Sequence, residues 1–426
     1  MTDLASSHSV APLPLAQYAE ECIALRETRS VLVRSAQVTL EHLGQVDARL
    51  RAHLEGLHAA GDAGVQVAEA ALALPRAGAV FTAAALALLN GDAERIGQLV
   101  ALARTLPDAR RGLVSALGWV RAKALRDVAS GWFATPDKFL RRLGLSACMV
   151  HRVDPGPLLA GAIESRDPQL RAVAAGCAGE LGRLDLREAC VALLDDVDPG
   201  VRLHAARAAV LLGDRATAVD ACAEIAVAQG PFRIDALPFA VLGADRKRAR
   251  ALLERLAKQR NEKQPTTIRV VVYAVALAGD LHFIDWLISL MRDPLHARLA
   301  GEAFAMMTGA DLVLLDLEQP PPARAAAPQP PGNDPAAAFG ADDGMAWPDP
   351  VRVSAWWQAN KAGFAVGERH FVGTTPDIPH CQHVLRTSRQ RRRWVAALHL
   401  ALAAPGSILF NPAAPAWRQA RLLAKQ

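Results

Sequence analysis

An all-helical repeat solenoid is the fold class this sequence predicts, and three observations carry that reading. A short motif recurs about every 30 residues through the middle of the chain, clearest at Asp167-Pro168 and Asp198-Pro199. Hydrophobic residues make up 51% of the chain but aromatics only 5%, with Ala and Leu dominant. Small, unbranched side chains favour helices packed close together. The strongest apolar runs, Ala77 to Leu89 and Val270 to Ala278, fall short of the roughly 20 residues a membrane span needs.

The motif explains itself locally. Asp167-Pro168-Gln169-Leu170-Arg171-Ala172 matches Asp198-Pro199-Gly200-Val201-Arg202-Leu203, and each leads an alanine-rich stretch that ends at Gly182 or Gly213. The Asp accepts orphan N–H groups of the helix's first turn. Proline suits the first helical position, where its missing N–H costs nothing. Leu170 or Val201 opens the apolar stripe, and the glycine ends the helix. A second helical stretch follows, Leu186 to Leu194 or Thr217 to Val227. Looser copies begin at Pro107-Asp108, Thr135-Pro136-Asp137 with Arg141, Gln264-Pro265 with Arg269, and Asp293-Pro294 with Arg298. A helix pair of this kind cannot bury both faces alone, so neighbours must stack.

Four segments follow from this pattern: an N-terminal helical cap over 1–60, the solenoid over 61–317, a linker over 318–350, and a basic C-terminal domain over 351–426. In the cap, Leu50, Leu54 and Leu57 lie on one helical face. The linker contains Pro320-Pro321-Pro322 and Pro330-Pro331, and its charges are acidic apart from Arg324. The C-terminal domain holds 11 Lys and Arg against 2 Asp and Glu, a balance of +9, whereas the preceding 350 residues sum to −4. Five of the eight tryptophans fall between Trp347 and Trp417. Trp356 and Trp357 suit either a small core or an interface anchor.

Arg386, Arg389, Arg391, Arg392 and Arg393 crowd the start of a predicted helix that carries Trp394, Leu398 and Leu402. Cations there oppose the macrodipole by roughly 0.3–1 kcal/mol each. An anionic partner is expected to offset them: the acidic linker in cis, an acidic protein or a phosphate backbone, with a solvated face as the plain alternative. In the cis case Asp334, Asp342, Asp343 and Asp349 would mask the arginines at the high effective concentration of a short tether.

Candidate chemistry is sparse. No phosphate-binding loop, nucleophile elbow or paired-histidine zinc helix occurs. His380, Cys381 and His383 have a spacing that a zinc ion would accept given a fourth ligand, or they are simply solvated. His151 and Asp154 read as a helix-to-helix turn before they read as an acid–base pair. The six cysteines contain no C-x-x-C pair and fall at similar repeat positions, as reduced core thiols would. No catalytic residue, metal or cofactor is predicted. Met1 to Leu15 has neither a basic nor an apolar signal region, so an intracellular, soluble, cytoplasmic protein is expected.

The spacing D-P-x-[LV]-R-x-x-A resembles the HEAT repeat. That resemblance implies that Arg141, Arg171 and Arg202, with Asp167, Pro168, Asp198 and Pro199, are structural residues at the repeat seam. More broadly, Asp47 to Gly56, Phe139 to Arg215 with Gly179-Glu180-Leu181-Gly182-Arg183, Trp356-Trp357, Gly367-Glu368-Arg369-His370, Gly373 and Arg391 to Leu400 resemble proteobacterial HEAT-like proteins found in type VI secretion gene neighbourhoods. The resemblance implies a non-enzymatic adaptor or chaperone whose partner is a secretion effector, a spike component or an effector chaperone. Nucleic-acid binding through the basic C-terminal segment and an immunity role against a secreted toxin are the alternatives. The slightly acidic repeat region argues against nucleic acid.

Overall fold

The computed structural model describes residues 15–259, 265–322, 342 and 344–425, with the backbone alone at 265–267. Among them are twenty-two α-helices and no β-strand, only isolated bridges between single residue pairs. The fold is an all-α helical-repeat solenoid. It divides into two compact units. The first combines the described part of Met1–Leu32 with Glu41–Thr135 and Ala414–Arg421; the second combines Val33–Leu40, Pro136–Ala413 and the described part of Leu422–Gln426.

The first unit is built around the helix Ala77–Asn90. Every residue from Ala77 to Leu88 is buried, which its sequence, apolar on all sides, requires. The helices Leu15–Leu32, Ala93–Thr105 and Pro107–Trp119 pack against it. The approach is close because small residues line it: a Cβ on Gly78 would come within 2.8 Å of the Ile23 carbonyl oxygen. The segment Ala414–Arg421 belongs to this unit. Buried Asp47 accepts from Arg29 Nε at 2.5 Å and from the Ala416 N–H at 2.6 Å, while Arg29 also donates to the Ala414 carbonyl at 2.9 Å.

The second unit has two rows of helices. Lys138–His151, Pro168–Leu181, Pro199–Leu211, Arg233–Gly243, Pro265–Ala278 and Ala297–Thr308 stack in order in one row. Leu158–Ile163, Arg187–Ala192, Thr217–Val227, Arg246–Lys258 and Ile284–Leu290 form the other. The motif acts at the row's N-termini. Asp167 caps the Leu170 N–H at 2.7 Å, and Asp198 caps Gly200 and Val201. In the Thr135-Pro136 copy the cap is Asp137, so the helix starts at Lys138, past the proline. At Asp293-Pro294 the helix starts only at Ala297, and Asp293 instead bonds the His296 ring at 2.7 Å.

The two rows differ in burial. Arg246–Lys258 hides only Ala249, Leu252, Leu253 and Leu256, one face of the helix. By contrast, Arg233–Gly243 hides every residue from Ala236 to Leu242. The extra cover comes from the C-terminal segment, whose helix Gln390–Ala403 lies on Pro199–Leu211 and Arg233–Gly243. The helix Ile378–Thr387 packs on Gln390–Ala403, and Pro350–Asn360 packs on Ile284–Leu290.

Candidate functional site

The motif arginines Arg171 and Arg202 differ in what they bond. Arg171 forks onto Asp196 of the following repeat with bonds of 2.8 and 2.9 Å, and donates to the Ser165 carbonyl at 2.8 Å. Arg202 donates to the carbonyls of Asp196 and Val197 at 2.7 and 3.2 Å. Toward the end of the stack the acid comes from elsewhere: Arg269 forks onto Asp342 at 2.8 Å for both bonds, 73 residues away. Arg298 bonds the Asp342 carbonyl at 2.8 Å and lies over the Trp347 ring.

The five C-terminal arginines do not share one solvent face. Arg386 is exposed. Arg389 pairs with Asp311 at 3.0 Å, and Arg392 is buried 3.7 Å from Glu302. Arg393 is 0% exposed and donates to the Leu385 carbonyl at 2.6 Å and to Gln390 Oε1 at 3.0 Å. Burial pushes its guanidinium down to about 10. The orphan donors of this helix find carbonyls of the second unit's early segment: the Gln390 N–H meets Val38 at 2.7 Å, and the Arg391 N–H meets Ser35 at 3.1 Å. The anions near the helix start therefore come from the last repeat. Asp342 is committed to Arg269, Asp349 caps the Val351 and Arg352 N–H groups, and Asp334 and Asp343 lie outside the described residues. This corrects the expectation that Asp342 and Asp349 screen the arginines.

Trp356 and Trp357 meet Phe304 edge-on at 5.8 and 6.5 Å, and Trp357 also meets Phe364. Trp357 is buried and Trp356 half-buried, so both are tied into the core beside the last repeat helix. His380 bonds the Phe371 carbonyl at 2.8 Å, Cys381 is buried and His383 is exposed. Among the described residues no group of three or more His, Cys, Asp or Glu is placed to hold a metal ion. Asp154 accepts from the Gly156 N–H and from Arg183, making a turn. Burial pushes the thiols of Cys22, Cys190, Cys222 and Cys381 up to about 12, and that of Cys148 to about 11.

A feature without any periodic signal is a strap, residues 364–413, across the C-terminal ends of the repeat helices. The orphan carbonyls there are its anchors. Arg369 donates to the carbonyls of Val241, Leu242 and Ala244. The His370 N–H meets the Gly279 carbonyl at 2.9 Å, those of Val372 and Gly373 meet Met306 and Met307, and that of Leu409 meets Glu180 at 3.0 Å. From the repeats, Arg215 reaches the Leu402 carbonyl at 2.7 Å and Arg152 reaches that of Leu409 at 2.7 Å. Gly182 and Gly279 admit the strap, because a Cβ on either would overlap the carbonyl of Gly406 or His370. One sequence signal foreshadows this arrangement: 41 arginines against 7 lysines. The guanidinium fork bonds several carbonyls at once, which an ammonium does less well.

A cleft of about 640 Å³ lies in the first unit. Its floor is Ala83 and Leu86 of the helix Ala77–Asn90. One wall is Val65, Ala68, Glu69 and Leu72; the other is Arg95, Gln98, Leu99 and Leu102. Arg95 crosses between the walls to Glu69 Oε1 at 2.6 Å and also pairs with Asp92. The Arg95 N–H, followed by its guanidinium, holds the Asp92 carboxyl below the usual range.

Fold and seam together define a helical-repeat protein held by capped, ion-paired modules. A family model described as HEAT repeats matches residues 156–230, the stretch that contains both clear motif copies. Such repeats generally serve as protein-interaction scaffolds, and this architecture is consistent with one. No curated protein matches the chain. Among the described residues, no helix is long and apolar enough to cross a membrane.

Proposed function

We propose that this chain is a non-enzymatic, protein-binding scaffold of the cytoplasm, an adaptor or chaperone accessory to type VI secretion. Its partner is an effector, a spike component or an effector chaperone. The observation that carries the scaffold reading is the repeat stack itself, with the HEAT match over 156–230 and a seam built from Arg171 and Asp196. The secretion context rests on the family resemblance of the sequence. Against the nucleic-acid alternative, Arg389, Arg392 and Arg393 are spent on Asp311, Glu302 and the Leu385 carbonyl, which leaves Arg386 as the fully exposed member.

The test is capture from a native lysate with the tagged full chain, with and without nuclease. A protein partner retained after nuclease at physiological salt is the expected result, and a secreted toxin among the retained proteins would favour the immunity role. Retention that vanishes with nuclease, together with steeply salt-dependent duplex binding, would replace the scaffold reading with the nucleic-acid one.

A further inference from the structure

We propose that the cleft of the first unit is a docking groove for an amphipathic, cationic helix of a partner protein. The identity of the ligand as protein rests on the scaffold reading; the location and chemistry of the groove come from its own walls. Two helical walls lie on a third helix as floor, leaving a groove into which one ridge of side chains fits. Its deep surface is apolar: Val65, Ala68, Ala83, Leu86 and Leu99 are all buried beneath the opening, and Leu72 and Leu102 are half-buried at its sides.

Two exposed leucines follow lining residues closely in sequence. Leu89 lies one helical turn beyond Leu86 and is 44% exposed, and Leu74, two residues past Leu72, is 67% exposed. Apolar side chains left open beside a concavity mark an interaction surface more than scattered ones do.

The rim selects the charge. Glu69, Asp92 and Glu94 face Arg95 alone, and Arg95 is already bonded to both Glu69 and Asp92. Glu94 is exposed, with Gln98 as its side-chain neighbour at 3.5 Å. The rim is thus acidic over an apolar floor. A helix that presents leucine-like side chains at i, i+3 or i+4 and i+7, flanked by Lys or Arg, matches both. An acidic helix would meet like charge.

The probe is a fluorescently labelled leucine–lysine peptide of about 18 residues with leucines at helical spacing, titrated by anisotropy against the full chain. A leucine–glutamate peptide of the same pattern is the control. Two variants read the site: Glu94→Lys on the exposed rim and Leu72→Gln on the half-buried wall. Circular dichroism melting reports whether each is folded, and Glu94→Lys carries the test if Leu72→Gln unfolds. We expect the lysine peptide to bind the parent, with binding weakened at least about tenfold by Glu94→Lys and further weakened by salt, and the glutamate peptide to bind far more weakly. Absence of binding, equal binding of both peptides, or parent-like binding by Glu94→Lys would overturn the proposal. Lysate capture with the same variants separates the two readings. A partner retained equally by parent and Glu94→Lys leaves the scaffold reading intact and removes the groove. Peptide binding that Glu94→Lys weakens, with no protein captured by the parent, keeps the groove and removes the scaffold.

Discussion

The repeats over 156–230 and the strap over 364–413 put the same residue type to different use. In the repeats, Arg171 finds a carboxylate 25 residues ahead, on Asp196 of the next module. In the strap, Arg369 and Arg393 find backbone carbonyls at helix C-termini, and Arg369 does so across more than a hundred residues. Charge pairing at a seam can be periodic where successive modules supply an acid, as Asp196 does for Arg171, although Arg202, one repeat on, bonds the carbonyls of Asp196 and Val197 instead. Capping by a crossing segment cannot be periodic, because the donor and the helix end come from unrelated parts of the chain. An arginine excess therefore need not report an anionic ligand: orphan carbonyls of stacked helices take up part of it.

Four measurements test this contrast. Gly182 and Gly91 have similar backbone angles, φ 72° and 67°, but the strap covers the first and nothing lies within 4 Å of a Cβ on the second. Gly91→Ala should cost about 1 kcal/mol, the left-handed penalty alone. Gly182→Ala should cost about 3 kcal/mol or more in denaturant unfolding, because the Gly406 carbonyl must also move. Equal costs would mean that the strap is loosely held. Within the repeats, Arg171→Ala leaves Asp196, with its side chain 8% exposed, without its cation and should cost about 3 kcal/mol.

The third measurement uses pH. Burial first, then Arg369 and His380, pushes the His399 imidazole down to about 3. The unfolded chain therefore takes up the proton before the native one does. The stability this histidine contributes is present above pH 6.5 and is lost as pH falls toward its native value. The parent should lose about 1.4 kcal/mol per pH unit below 6.5 from this group, a slope that His399→Gln removes. Identical acid slopes in parent and variant would mean that the strap opens before His399 protonates. The smallest effect belongs to the outer row. Arg255 and Glu224 pair at 2.9 Å with side chains 44% and 68% exposed, so Arg255→Ala should change stability by less than about 1 kcal/mol.

Legibility followed period. Asp167-Pro168 and Asp198-Pro199 announced their helix starts, since a cap and a first-turn proline act within four residues. Where the local chemistry slid, at Pro136 and Pro294, the helix starts slid with it. The C-terminal arginines were visible as a charge run, but Asp311 and Glu302, the acids that answer Arg389 and Arg392, stand 78 and 90 residues earlier with no repeating interval to point at them. The cleft left no signal, because Val65, Ala83 and Leu99 look like ordinary core residues until three helices are placed around them.

By itself the sequence determined the helices, their caps and the stacking of modules, because turn chemistry and hydrophobic spacing act over a few residues and repeat. Tertiary structure alone decided that the C-terminal segment closes the repeat ends, that Asp342 supplies the seam acid for Arg269, and that Asp47 holds the chain's last helix through Ala416. Each of these joins groups remote in sequence. The partner in each case is whichever donor or acceptor burial brings within reach, and a buried polar group must be answered wherever along the chain its partner happens to lie.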